Sequence, residues 1–139
     1  MNKRLLIVED DNVQANALAR QIKSRLGLAV DHISTEFEFR QRILRPDINS
    51  YSLAVVDMML RWTDPAPEME PPPEDVILEG FYTAGLRCCR ELLSRGVRCI
   101  IYTALDPAKI HQRPGEEYPV ISKSAGSERL LDEITRLDP

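Results

Sequence analysis

The sequence predicts an α/β fold, a doubly wound sandwich in which five parallel strands alternate with helices. Two observations predict it. Continuous apolar runs of strand length recur along the chain, as strands buried on both faces require. They alternate with stretches whose apolar residues fall at helical spacing, the pattern of βα units. Crossovers between parallel strands are nearly always right-handed, so the helices divide between the two faces of the sheet.

The first run, LLIV at 5–8, is continuous and β-branched at its end. Ala15, Leu18, Ile22 and Leu26 then mark one face of a helix, with Asp11 or Asn12 as its cap. LAVDHI at 28–33 alternates, which suits an edge strand. Phe39, Ile43 and Leu44 mark a second helix that Pro46 stops. LAVV at 53–56 is the third strand. Leu86, Cys89, Leu92 and Leu93 mark the next helix, closed by Gly96 as a C-terminal cap. CIIY at 99–102 is the fourth strand, followed by a weak or shortened helical segment containing Pro107 and Pro114. PVI at 119–121 and a helix through Leu130, Leu131, Ile134 and Leu137 complete the pattern.

With 139 residues, 43% apolar and 29% charged, the chain has the size and composition of one globular domain spanning 1–139. Its net charge of −4 is unevenly placed. Residues 61–79 hold five of the ten prolines and six acids against Arg61, so this stretch carries −5 and the remainder is near neutral. It reads as an acidic, proline-rich loop inserted after the third strand, extended, mobile and without a core of its own. No basic stripe suggests direct nucleic-acid binding. Cys88, Cys89 and Cys99 form no CxxC pair and read as half-buried thiols of a reducing compartment. The apolar run near the N-terminus is too short for a signal peptide, and none approaches a membrane span. A cytoplasmic protein without membrane contact is the expectation.

Ligands of open α/β sheets bind beyond the carboxyl ends of the strands, where strand order reverses. Those ends carry Glu9 and Asp10, then Asp57, Thr103 and Lys123. An ionised carboxylate directly after a buried run needs solvent, a cation or hydrogen bonds. If the strand order is 2-1-3-4-5, three carboxylates converge, and their repulsion favours protonation or a hard divalent cation. Oxygen ligands with room for water and phosphate suit Mg²⁺. Lys123 and the Thr103 hydroxyl can then meet phosphate oxygens, a set fitted to phosphoryl transfer onto Asp57. Singly, each residue also has an ordinary explanation as a turn, strand-end or surface residue.

LLIVEDD, LAVVDMML, AGLRCCRELLSRGVRCIIYTA and ISKSA together resemble the receiver domain of two-component response regulators over nearly the whole chain. The resemblance implies the flavodoxin-like order 2-1-3-4-5. It implies Asp57 as phospho-acceptor, and Glu9, Asp10, Asp57 and the Met59 carbonyl as the Mg²⁺ site. Thr103 is then the switch hydroxyl and Lys123 the lysine of the family's fifth-strand motif. It further implies a phosphohistidine donor, either a sensor histidine kinase or a histidine phosphotransfer protein, a downstream protein partner, and possible homodimers. The chain would catalyse only its own phosphorylation and dephosphorylation. In that family the side chains of Met59 and Leu105 flank the path of hydrolytic water, and both are apolar here, so slow self-dephosphorylation is expected.

The sequence departs from the family pattern in four places. Arg61 stands where the family has proline, Ser124 follows Lys123 in place of proline, and Val120 occupies a usual aromatic position. About twenty residues are also extra before Gly85. Two alternatives stay open. One is a receiver-like interaction module that is never phosphorylated. The other is an Asp-nucleophile phosphatase, which would want a second Asp where Met59 stands. No P-loop or dinucleotide motif occurs.

Overall fold

Five strands form one parallel sheet: β1 (Arg4–Val8), β2 (Ala29–Ile33), β3 (Tyr51–Val56), β4 (Arg98–Thr103) and β5 (Val120–Ser122). Their order is β2-β1-β3-β4-β5, the doubly wound arrangement expected from the sequence. The computed structural model describes residues 4–65 and 67–137. Its helices are α1 (Asn12–Leu26), α2 (Glu36–Arg42), α3 (Glu74–Glu79), α4 (Ala84–Ser94) and α5 (Ser127–Leu137).

Alternation along the strands divides the core in two. Leu5, Ile7, Leu53, Val55 and Ile100 pack beneath α1 and α5, against Leu18, Ile22, Leu130 and Ile134. Leu6, Val8, Ala54, Val56 and Ile101 face the other way, toward Phe39, Leu86, Cys89 and Leu92 of α2 and α4. α1 begins at Asp11, whose side chain accepts from the amides of Val13 and Gln14, and closes at Gly27 with φ 69°. α2 begins at Thr35, whose hydroxyl accepts from the Glu38 amide at 3.1 Å. Among the described residues no helix is long and apolar enough to cross a membrane.

Two helices and the burial of the cysteines differ from the sequence reading. α2 ends at Arg42, so Ile43 is buried as its cap while Leu44 is 76% exposed. Leu93 likewise falls outside the buried face of α4, leaving Leu92 to fill the core. The cysteines are fully buried rather than half-buried, and burial pushes the Cys88 and Cys89 thiols well above their usual range. Between β4 and β5 the only helical piece among the described residues is one turn, Pro107–Lys109. Its successor is held instead by the Gln112 amide, which accepts from the Tyr118 N–H and donates to its carbonyl, both at 3.0 Å.

The acidic segment after β3 is folded onto the body, contrary to the extended loop expected. The first amides of α2 lack partners within their own helix. Here the carbonyls of Arg61 and Trp62 accept from Glu36 N–H at 3.0 Å and Phe37 N–H at 2.9 Å. The Trp62 ring meets Phe37 edge-on at 5.6 Å, lies under the Arg40 guanidinium, and donates its N–H to the Glu70 carbonyl. Farther along, α3 buries Val76 and pairs Asp75 with Arg40 at 2.7 Å and Glu79 with Arg87 at 3.2 Å. Arg87 also holds the buried carboxylate of Glu36 by two hydrogen bonds of 2.9 and 2.7 Å. Sequence reading missed this anchorage because Arg40 and Asp75 are 35 residues apart and Arg87 and Glu36 are 51 apart.

Candidate functional site

The site lies at the carboxyl ends of β1, β3 and β5. Parallel register sets Val8 beside Val56, so the next residues, Glu9 and Asp57, emerge side by side. The ladder continues one step further: Asp57 N–H donates to the Val8 carbonyl at 2.9 Å and Glu9 N–H to that of Ile33 at 3.0 Å. His32 Nε2 lies 2.7 Å from the Glu9 carbonyl, a further tie to β2. From the other side, Gly85 lets α4 come against the end of β3. Its N–H donates to the Met58 carbonyl at 2.9 Å, and a Cβ there would stand 2.7 Å from Met58 Cα. β5 delivers Lys123 at the start of a helical turn in which Ser122 Oγ accepts from Ser124 N–H.

Lys123 joins the carboxylates. Its Nζ donates to Glu9 Oε1 and, at 2.9 Å, to Asp57 Oδ2. A third bond of 2.8 Å reaches Gln14 Oε1, and the Gln14 amide in turn donates to Asp11 at 3.1 Å. Tyr102 stands beside the ammonium, with Nζ 5.9 Å from its ring centroid. Both carboxylates are largely withdrawn from water, Glu9 at 6% and Asp57 at 7% exposure. Burial, and then the charge of Asp57, push the Glu9 carboxyl up to about 7, against the pull of Lys123. Burial works against the charge of Lys123, but its hydrogen bonds to Glu9 and Asp57 outweigh that, and its pKa is raised. One ammonium thus serves two buried carboxylates, and the centre holds more negative charge than it neutralises.

The remaining candidates are placed differently. Asp10 is turned toward the segment after β3: the Arg61 amide lies 3.4 Å from its Oδ2 and the Arg61 guanidinium donates to its carbonyl at 2.9 Å. The Met59 amide approaches Asp57 Oδ1 at 3.5 Å, the outer limit of a hydrogen bond. Thr103 is fully buried at the end of β4, and its hydroxyl accepts from Leu105 N–H at 3.3 Å. Leu105 packs partly against the α2 and α4 side of the core. Glu9, Asp57 and Lys123 are therefore brought into one hydrogen-bonded cluster, while Asp10 and Thr103 stand beside it with other partners. Among the described residues no three His, Cys, Asp or Glu side chains form a metal-ligating group. Gln14 was not foreseen as a site residue. The Asp-x-x-Gln spacing at 11–14, akin to a capping box, is the signal that could have found Gln14.

No family model matches the chain, and no curated protein matches it. Solved structures do. A response regulator receiver domain protein from Bacillus halodurans superposes with a TM-score of 0.69 at 15% identity, covering 100% of this chain and 99% of that one. The PhyR response regulator receiver domain of Erythrobacter litoralis gives 0.69 at 16% identity, covering 98% and 89%. A CheY-like receiver domain protein from Methanospirillum hungatei gives 0.62 at 23% identity, covering 99% and 95%. At these identities the likeness is one of fold: the chain has the architecture of receiver domains.

Proposed function

We propose that this chain is a receiver that accepts a phosphoryl group on Asp57. An Asp57 carboxylate oxygen attacks the phosphorus of a phosphohistidine donor, forming an acyl phosphate. The P–N bond breaks and its electron pair leaves with the imidazole. The observation that carries this reading is the single Lys123 ammonium shared by Glu9 and Asp57 at adjoining strand ends. An ammonium so placed can transfer one of its hydrogen bonds to an incoming phosphate oxygen. Thr103, buried at the next strand end, has a hydroxyl to offer a second. Glu9, Asp57 and the Met59 carbonyl offer oxygen donors of the kind Mg²⁺ takes, Asp10 would complete the set on turning from Arg61, and the excess negative charge of the site favours a bound cation. Bound there, it would offset repulsion between the carboxylates and the phosphoryl group.

In this reading the donor is a histidine kinase or a histidine phosphotransfer protein, and the output is altered contact with a downstream protein or a second copy of the chain. The chain's only catalysis is its own phosphorylation and dephosphorylation. One observation favours an unphosphorylated interaction module instead: Asp10 is engaged by Arg61 through both its side chain and its carbonyl. Incubation with acetyl phosphate and Mg²⁺, followed by intact-mass measurement, separates the two. The receiver reading predicts the gain of one phosphoryl group, lost with Asp57→Asn and on removal of Mg²⁺. Absence of incorporation, or incorporation unchanged in Asp57→Asn, overturns it.

A further inference from the structure

Five of the eight large apolar side chains left exposed among the described residues lie between Met69 and Tyr82. Single exposed apolar residues are ordinary, whereas a concentration of them marks an interaction surface. The two sides of α3 explain why this one stays open. Val76 is buried, and ion pairs from Asp75 to Arg40 and from Glu79 to Arg87 tie that side of the helix to the body and fix its roll. Residues at i, i+3 and i+4 share a helix face, so Glu74, Ile77 and Leu78 lie together on the outer side. Ile77 is 66% and Leu78 77% exposed, and the helix cannot turn them inward without breaking its anchors. Just past Gly80, Phe81 and Tyr82 stack at 4.2 Å between ring centroids and also remain exposed.

Charge selects what covers this surface. Asp64, Asp75 and Glu79 each pair with an arginine, whereas Glu68, Glu70 and Glu74 are in no ion pair among the described residues. We infer that the outer face of α3 with Phe81 and Tyr82 docks a basic amphipathic segment of a partner protein. Apolar side chains of that segment meet Ile77, Leu78, Phe81 and Tyr82, and its lysines or arginines meet Glu68, Glu70 and Glu74. A second copy of this chain would set one acidic segment against another, and anionic lipid or nucleic acid meets the same repulsion. The inference goes beyond the phosphorylation reading and does not depend on it.

The test is a titration of the isotopically labelled full chain, followed by amide chemical shifts. The probe is a synthetic amphipathic helix of leucine and lysine, with a leucine–glutamate helix as control. Shifts confined to 68–82 are expected with the basic peptide, and none with the acidic one. Combined Ile77→Ser and Leu78→Ser should weaken binding by about tenfold or more. Combined Glu68→Gln, Glu70→Gln and Glu74→Gln should flatten its salt dependence. The inference is overturned by equal binding of the acidic peptide, by shifts elsewhere on the surface, or by full affinity in the Ile77 and Leu78 variant. Self-association of the free chain through these residues, seen by sedimentation, overturns it too.

Discussion

The Glu9 carboxyl reports the charge imbalance of the site. Its pKa rises from 4.5 to about 7, first through burial and then through Asp57, so the folded chain binds more protons than the unfolded chain between those values. Stability contributed by the protonated form is therefore present at low pH and lost as pH rises through about 7. In EDTA, Glu9→Gln should be more stable than the unmodified chain at pH 8, by about 1–2 kcal/mol after allowance for solvent screening. That advantage should vanish near pH 4.5, which urea unfolding at the two pH values measures directly. A second residue-scale expectation concerns the acyl phosphate. Met59 is half-buried beside Asp57 and Leu105 packs partly on the core, so neither offers a group to orient water. With donor removed, Met59→Asn and Leu105→Glu should each hasten loss of phosphate by about tenfold to a hundredfold, or roughly 1.4–2.8 kcal/mol of barrier. Equal or slower decay in both contradicts this. At this scale Glu9 and Asp57 were legible because each directly follows an apolar run, and Lys123 because it stands one residue past the last one. Gln14 was not, since its aim depends on the Asp11 cap and on a lysine 109 residues away.

Among the elements, the junction of β3 with α4 is the most sensitive. Gly85 has no room for a side chain: an added Cβ would overlap the backbone of Asp57 and Met58, which belongs to the site itself. Gly85→Ala should cost about 1–3 kcal/mol of stability, as overpacking does. It should also slow phosphorylation of Asp57, because α4 must retreat or the strand end must shift. A mutant that keeps both stability and rate would contradict the close approach. The strands were readable from continuous apolar runs and the longer helices from their spacing. α3 was not, because three prolines run directly into it, half of its six residues are acids, and its anchors come from α2 and α4. The same long-range pairs turned an expected mobile loop into a docked segment, with Arg40 and Arg87 supplying the charges that its acids needed.

Over the whole molecule, the order β2-β1-β3-β4-β5 sets the ends of β1 and β3 side by side at the point where winding reverses. That topology makes neighbours of residues 48 positions apart, Glu9 and Asp57, and Lys123 then arrives from the far edge strand to join them. The succession of βα units was legible from alternation, because each repeats the same burial requirement, whereas the strand order came from the resemblance to receiver domains. What the fold does with the gathered charges is the central claim, and it is tested most directly by locating the phosphoryl group. After exposure to a phosphohistidine donor or acetyl phosphate with Mg²⁺, borohydride reduction converts an aspartyl phosphate to homoserine, which peptide mass spectrometry places in the sequence. The account predicts homoserine at position 57 and nowhere else. Homoserine at another position, or none after full exposure to donor, contradicts it.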